Sequence, residues 1–256
     1  MAQHYATRPY GHYRAEVYRL FIDVLAWLRS PIRILDVGAG PGHLAHEYFK
    51  RHPRRRDQFV LLDASSEILK IARSRLGARA DRVRTFVRSF NMPNWDRGIG
   101  RFDAVVSNNA LFHVRPHKLP AFYRACFARL RKDGILLNQQ SFAYEDRASP
   151  YGDDPFALFT QKLPAGVLPQ TPGLTAAAER RLQEEAREAA AEHSAALAEA
   201  RAAGVRFADG QTGYQFLTVG HHIERMRKAG FQCGCIWRKR EFAVVLGLKG
   251  SPRLTR

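Results

Sequence analysis

Apolar residues recur along this chain in two alternating patterns. One is a short, nearly unbroken run of Ile, Leu, Val and Phe, seen at Ile34–Val37, Gln58–Asp63, Phe102–Ser107 and Ile135–Gln139, with Arg82–Val87 a further strand candidate broken by Arg84 and Thr85. Runs without a polar face suit strands covered on both sides, as in a parallel sheet. The other pattern repeats with the helical period. In Arg14–Arg29, the residues Val17, Leu20, Phe21, Val24, Leu25 and Leu28 fall on one stripe, and Ser30-Pro31 ends the segment. Helical segments also fit 44–51, 65–76, 118–130 and 220–228. Such alternation predicts an α/β fold with a doubly wound, seven-stranded, mostly parallel sheet and right-handed crossovers. Phe231–Arg238 and Glu241–Leu248 complete the seven as an antiparallel pair, giving an antiparallel C-terminal edge strand.

Residues 142–215 break this rhythm. A loop-like stretch rich in Pro and Gly leads into Thr175–Ala203, whose Ala, Glu and Arg content predicts a long helix. The organisation expected is one domain over 1–256. It has an N-terminal segment and helix at 1–30, a core at 31–141 and 216–249, and a helical insertion at 142–215. The Ala-heavy face of the long helix suits close packing on another helix, which makes a homodimer reasonable.

Chemistry is expected where the strands end, because open α/β sheets bind ligands at the carboxyl ends of their strands. The first strand runs into Asp36 and then into glycines at every second position, Gly38, Gly40 and Gly42, with Ala39 between. These glycines allow a sharp turn and a close approach of backbone to a ligand. The second strand ends in Asp63, about 20 residues further on, followed by Ala64 and Ser65. An acid there suits ribose hydroxyls, since a carboxylate offers only acceptors to two donors. The fourth strand is left by Asn108 and Asn109, with His113 a few residues beyond.

Taken together, the G-x-G-x-G turn, Asp63, the stretches 102–113 and 130–137 and Ala229-Gly-Phe231 resemble the class I S-adenosylmethionine-dependent methyltransferases. The resemblance covers roughly 30–145 and 218–249. It implies S-adenosylmethionine (SAM) as cofactor, held by Asp36, Gly38, Ala39, Gly40, Gly42, Asp63, Ala64 and Ser65. Members of that family usually carry an acid beyond the third strand for the adenine amino group. This chain has Ser89-Phe90-Asn91 instead, with Phe90 suited to stacking on the adenine and Asn91 to its edge. Asn108 and Asn109 are expected at the cofactor, and no metal is expected. His113 is the candidate general base on account of its near-neutral pKa; the alternative is that it packs or contacts cofactor. The resemblance also implies that 142–215 is a substrate lid, and that Arg8, Tyr10 and Tyr13 help to cover the cofactor.

The fourth strand does not run into the Asn-Pro-Pro-aromatic sequence that marks base-amine methylation in the resembling family. No Cys follows it as a nucleophile. The function expected is methyl transfer to an O, N or C nucleophile of a small molecule. Two alternatives stand beside it: an RNA-directed methyltransferase and a non-catalytic SAM-binding protein. The formal net charge of +17 suits a nucleic-acid partner. However, the basic residues are spread over many segments and are not interleaved with aromatics as a stacking platform requires, so the small-molecule acceptor is preferred. No apolar run reaches the ~18 residues of a membrane helix, so no membrane partner is expected. The N-terminus does not read as a secretory signal, and three cysteines are too few for a disulfide framework. Both features fit a cytoplasmic protein.

Overall fold

The computed structural model describes residues 13–141, 217–239 and 242–251. The expected insertion 142–215, with its helix Thr175–Ala203, lies outside the described residues, as do Arg8 and Tyr10. Twelve elements build the described part. In order they are α1 (Tyr13–Trp27), β1 (Arg33–Val37), α2 (His43–Arg51), β2 (Gln58–Asp63), α3 (Ser66–Leu76), β3 (Val83–Val87), β4 (Phe102–Asn108), α4 (Leu119–Arg129), β5 (Leu130–Ser141), α5 (Val219–Lys228), β6 (Gln232–Lys239) and β7 (Phe242–Leu248).

The seven strands form one sheet in the order β3-β2-β1-β4-β5-β7-β6. The first five pair in parallel, and β7 runs antiparallel to both β5 and β6. The antiparallel C-terminal strand is therefore present, seated one place in from the edge that β6 forms. The order reverses at β1 and β4, which places the switch point of the sheet beside the glycine turn.

Strand alternation sorts the core into two layers. Ile34, Phe59, Leu61, Ala104 and Val106 face α1, α2 and α3. Leu35, Val60, Leu62, Val105 and Leu136 face α4 and α5. Burial on both faces is what the unbroken apolar runs require. Helix α1 stops at Trp27, just short of the cis Ser30–Pro31 bond.

Strand β5 begins earlier than the apolar run suggests. The Asp133-Gly134 turn is absorbed as an irregularity between Leu130, which pairs with Phe102, and Ile135, which pairs with Ala104. Asp133 takes φ +66° there, and its N–H donates to the Lys249 carbonyl at 2.7 Å.

The arginine-rich turn 51–56 has a structural occupation. Arg55 donates from Nε to buried Asp57 at 2.5 Å and from its other nitrogens to the carbonyls of Ala26 and Leu28 at 3.0 and 2.8 Å. Asp57 also accepts from Ser30, from the Ile32 N–H and from the Tyr48 hydroxyl. Burial opposes its ionisation, but the bonds from Arg55, Tyr48, Ile32 and Ser30 outweigh that and hold its carboxyl below the usual range. The cluster ties α1 and α2 to the start of β2, at the end of the sheet away from the glycines.

Candidate active site

The glycine turn is held by its neighbour, β2. The N–H groups of Gly38 and Ala39 both donate to the Leu62 carbonyl, at 2.8 and 3.1 Å. Gly40 N–H donates to Asp63 Oδ2 at 2.9 Å, and Ser65 N–H to Asp63 Oδ1 at 3.0 Å. Asp63 thus fixes the turn and starts the next helix, which Ser65 caps by accepting from the Ile68 N–H. Each carboxylate oxygen keeps a second lone pair for a ligand hydroxyl.

All three glycines sit in the left-handed region, with φ of +73°, +52° and +70° at Gly38, Gly40 and Gly42. Their surroundings differ. A Cβ on Gly38 would lie 2.3 Å from the Ala110 methyl, and one on Gly42 would lie 2.9 Å from the Ala72 methyl. A Cβ on Gly40 would meet nothing within 4 Å, so Gly40 faces the open side of the turn. The close approach at Gly38 is thus to another loop of the protein. Ala110, absent from the expected site, matters because it is small.

Asp36, the last residue but one of β1, precedes this turn and is 2% exposed. Burial, and secondly the nearby Asp63 carboxylate, push its pKa up to about 7. Two carboxyls at one rim, one of them reluctant to ionise, form an electronegative end to β1 and β2.

The β4 side is braced against both neighbours. Buried Ser107 donates to the Val37 carbonyl at 3.0 Å, and Asn109, at φ +54°, donates its N–H to the Gln139 carbonyl at 2.7 Å. Phe90 packs edge-to-face on Phe122, with centroids 6.2 Å apart, and its ring edge lies 3.6 Å from where a Gly38 Cβ would stand. It therefore borders the glycine turn.

Asn91 has a different role. Its amide donates to the His113 carbonyl at 2.8 Å, its oxygen accepts from the Arg115 N–H at 3.2 Å, and its backbone carbonyl accepts from Lys118. Ser89 accepts from the Asn91 N–H at 3.3 Å. The Asn91 side chain is largely spent on binding the two loops together. His113 ends a single 3₁₀ turn, Leu111–His113, and is exposed, with its ring 4.4 Å from the Phe112 ring. Ala64 is exposed as well, and Asn108 is half-buried at the strand tip.

A further group was not singled out by sequence reasoning. Asn138, Gln139 and Gln140 at the carboxyl end of β5 are all at most 1% exposed. Tyr123 of α4 and His222 of α5 join them, with Tyr123 Oη 2.6 Å from His222 Nδ1. Burial, then Arg225 and His221, lower the His222 pKa to about 3, so the ring is neutral. The signal was present: Leu137-Asn138-Gln139-Gln140 is an apolar strand ending in polar residues, just as β1 and β2 end in acids.

The three cysteines are free thiols, and burial pushes Cys126 and Cys233 up, the latter to about 11. Neither lies at the rim. Among the described residues no helix is long and apolar enough to cross a membrane.

Known proteins share this arrangement. A family described as methyltransferase domain matches residues 34–134. Trans-aconitate 2-methyltransferase of Rhodopseudomonas palustris (strain BisA53) is 31% identical over 137 residues, which cover 53% of this chain and 49% of that protein. The matched region thus spans about half the length of that relative. An O-methyltransferase family protein from Burkholderia thailandensis superposes with a TM-score of 0.57 at 15% identity, over 92% of this chain and 57% of that one. Human N-acetylserotonin methyltransferase, solved with SAM, gives 0.51 at 16% identity, over 98% of this chain and 63% of its own. At such identities these two structures speak for the fold. The glycine turn, the acid-tipped neighbour and the sheet order agree with the match over 34–134, where this chain is similar to methyltransferase domains of the class I, S-adenosylmethionine-dependent kind.

Proposed function

We propose that this chain binds SAM at the β1–β2 rim and transfers its methyl group to an O, N or C nucleophile of a small molecule. The observation that carries the reading is the pinned carboxylate. Asp63 accepts from Gly40 and Ser65 N–H groups, stands at the tip of β2, and keeps lone pairs for a ribose diol. A lone glycine turn does not distinguish cofactors; a turn locked to an acid that remains half exposed suits a nucleoside without a pyrophosphate.

The remaining residues fit the group. Gly40 offers an open backbone surface for the methionine portion. Asp36, beneath the turn, provides negative potential for a cationic ligand, and that cation in turn favours its ionised form. Phe90 supplies an aromatic surface beside the turn. The bound cofactor supplies an electrophilic methyl; the chain supplies orientation. Alignment alone is worth ~7–11 kcal/mol of a barrier in favourable cases. His113, exposed on the β4 rim, is the group available to take a proton from an acceptor that must lose one. The curated relative acts, by its name, on a small organic acid, which supports a small-molecule acceptor here.

Calorimetry tests the reading. The wild-type chain should bind SAM, and Asp63→Ala should weaken binding tenfold or more, because losing a charged hydrogen-bond partner costs ~1.5–3 kcal/mol. A wild-type chain that ignores SAM and takes a nicotinamide dinucleotide would overturn it.

A further inference from the structure

The basic residues are spread along the sequence, but the fold gathers some of them. Each of the five parallel strands begins beside an arginine. In sheet order these are Arg84 in β3, Arg56 just ahead of β2, Arg33 at the start of β1, Arg101 just ahead of β4 and Arg131 in β5. Arg33 is half-buried and the other four are exposed. Neighbouring strands lie about 4.8 Å apart, so the row is about 19 Å long. It stands at the amino ends of the strands, the opposite end of the sheet from the glycine turn and Asp63.

These guanidinium groups share one field. Burial lowers the Arg33 pKa, and the charges of Arg84 and Arg131 lower it further, against the pull of Asp103. Burial, then Arg101, lower that of Lys249 in the same way. Aromatic rings steady two of the five. The Arg33 guanidinium lies 5.2 Å from the centre of the Phe102 ring, and that of Arg84 lies 5.4 Å from the centre of the Phe86 ring.

Carboxylates do not balance the row. Asp103 accepts from Arg131 at 3.0 and 2.8 Å and from the Arg33 N–H at 2.7 Å. Asp57 is buried against Arg55, and Asp96 pairs with Arg129 at 2.8 Å. Asp133 accepts from the Ser251 N–H at 3.1 Å, and Asp81 is exposed ahead of β3. Among the described residues, Arg56, Arg84 and Arg101 make no ion pair.

Such a row suits an extended anion with regularly repeated charge. The guanidinium is a planar fork that meets a phosphate with two parallel bonds. With ~3.4 Å between phosphates along one strand, the row spans about five of them. A membrane surface would also call for apolar groups that enter it. The exposed large apolar residues, Val87 and Met92, lie instead at and beyond the carboxyl end of β3.

We infer that the amino-end rim of the sheet binds the phosphate backbone of a nucleic acid without reading its sequence. Strand β4, seven residues long, puts about 20 Å between this rim and the other end of the sheet. A backbone held here therefore anchors the protein and does not deliver a base to the glycine turn. The inference goes beyond the methyl-transfer reading and does not depend on it.

Fluorescence anisotropy of a labelled oligouridylate, titrated with the full chain at stepped KCl, is the test. Binding should be micromolar at about 50 mM KCl, and log K should fall against log[KCl] with a slope of about −3.5, as about five contacts to a single strand give. Arg84→Gln combined with Arg101→Gln should weaken binding at least tenfold and bring the slope to about −2. A matched variant, Lys70→Gln with Arg124→Gln, removes the same charge from exposed positions on α3 and α4 and should change affinity less than threefold. Equal losses in the two variants would mean that net charge alone attracts the oligomer, and would overturn the inference. So would the absence of binding at low salt, or tighter binding of polyglutamate or of phosphatidylserine vesicles. Should the rim variant fail to fold by circular dichroism, photocrosslinking of a 4-thiouridine oligomer to the wild-type chain decides. Crosslinks at 82–84, 101 and 131 support the rim, and crosslinks that avoid these segments overturn it. The SAM titration is read separately, so failure of either result leaves the other standing.

Discussion

The two sides of the sheet's rim are built from opposite materials. On the β1–β2 side stand two carboxyls, three left-handed glycines and main-chain donors, with Asp63 partly open to solvent. On the β5–α5 side stand amides, a phenol and a neutral imidazole, all buried. One side concentrates negative potential at a turn that side chains would block. The other sets a phenol, an imidazole and amides against one another in the core. The switch point between β1 and β4 separates the two sides.

Acid exposes the difference most strongly. His222 has a folded pKa of about 3 against about 6.5 unfolded, so the unfolded chain binds its proton first. Its contribution is fully present above pH 6.5 and lost as pH falls toward 3, roughly 4–5 kcal/mol in all. Urea titrations at stepped pH should show this loss in the wild type and its absence in His222→Gln. Asp36 works in the other direction. Its folded pKa of about 7 against about 3.8 unfolded means that stability is full below pH 3.8 and declines to pH 7, by roughly 4 kcal/mol. Asp36→Asn should therefore be more stable than wild type at pH 7.5, at the expense of cofactor affinity. Between pH 3.8 and 6.5 the two slopes oppose, so each variant should tilt a nearly flat profile, and in opposite senses. A variant pair tilting the same way would break the comparison.

Smaller effects sharpen it. Gly38→Ala forces a Cβ to 2.3 Å from Ala110 at φ +73°. It should cost about 3 kcal/mol, combining left-handed strain with overpacking. Ala110→Gly in the same chain should recover the overpacking part only, read by thermal melting. Smallest is Asn91→Ala, which removes two loop-to-loop bonds and should cost about 1–2 kcal/mol while loosening the segment that carries His113.

The fold was legible because strands covered on both faces betray themselves by composition, and their order follows from crossover rules. The β1–β2 side was legible for a related reason: glycines with positive φ and an acid at a strand tip leave a local mark. The β5 side was not. Asn138 and Gln140 meet Tyr123 and His222 across 15 and 82 residues of sequence, and no local period announces that meeting. Asn91 shows the converse: a residue expected at the adenine edge spends its side chain on bonds between two loops. Ala110 shows that a small side chain is informative only once its opposite number, Gly38, is known.

Seating β7 between β5 and β6 has a consequence for biosynthesis. Among the described residues only β7 pairs with the outer edge of β5, so that pairing waits until residues 242–248 have left the ribosome. At ~5–20 residues per second, the hundred or so residues after Ser141 delay that pairing by roughly 5–20 seconds. Throughout that interval β7 cannot yet shield the strand, and an uncovered sheet edge is a template that a neighbouring nascent chain can extend.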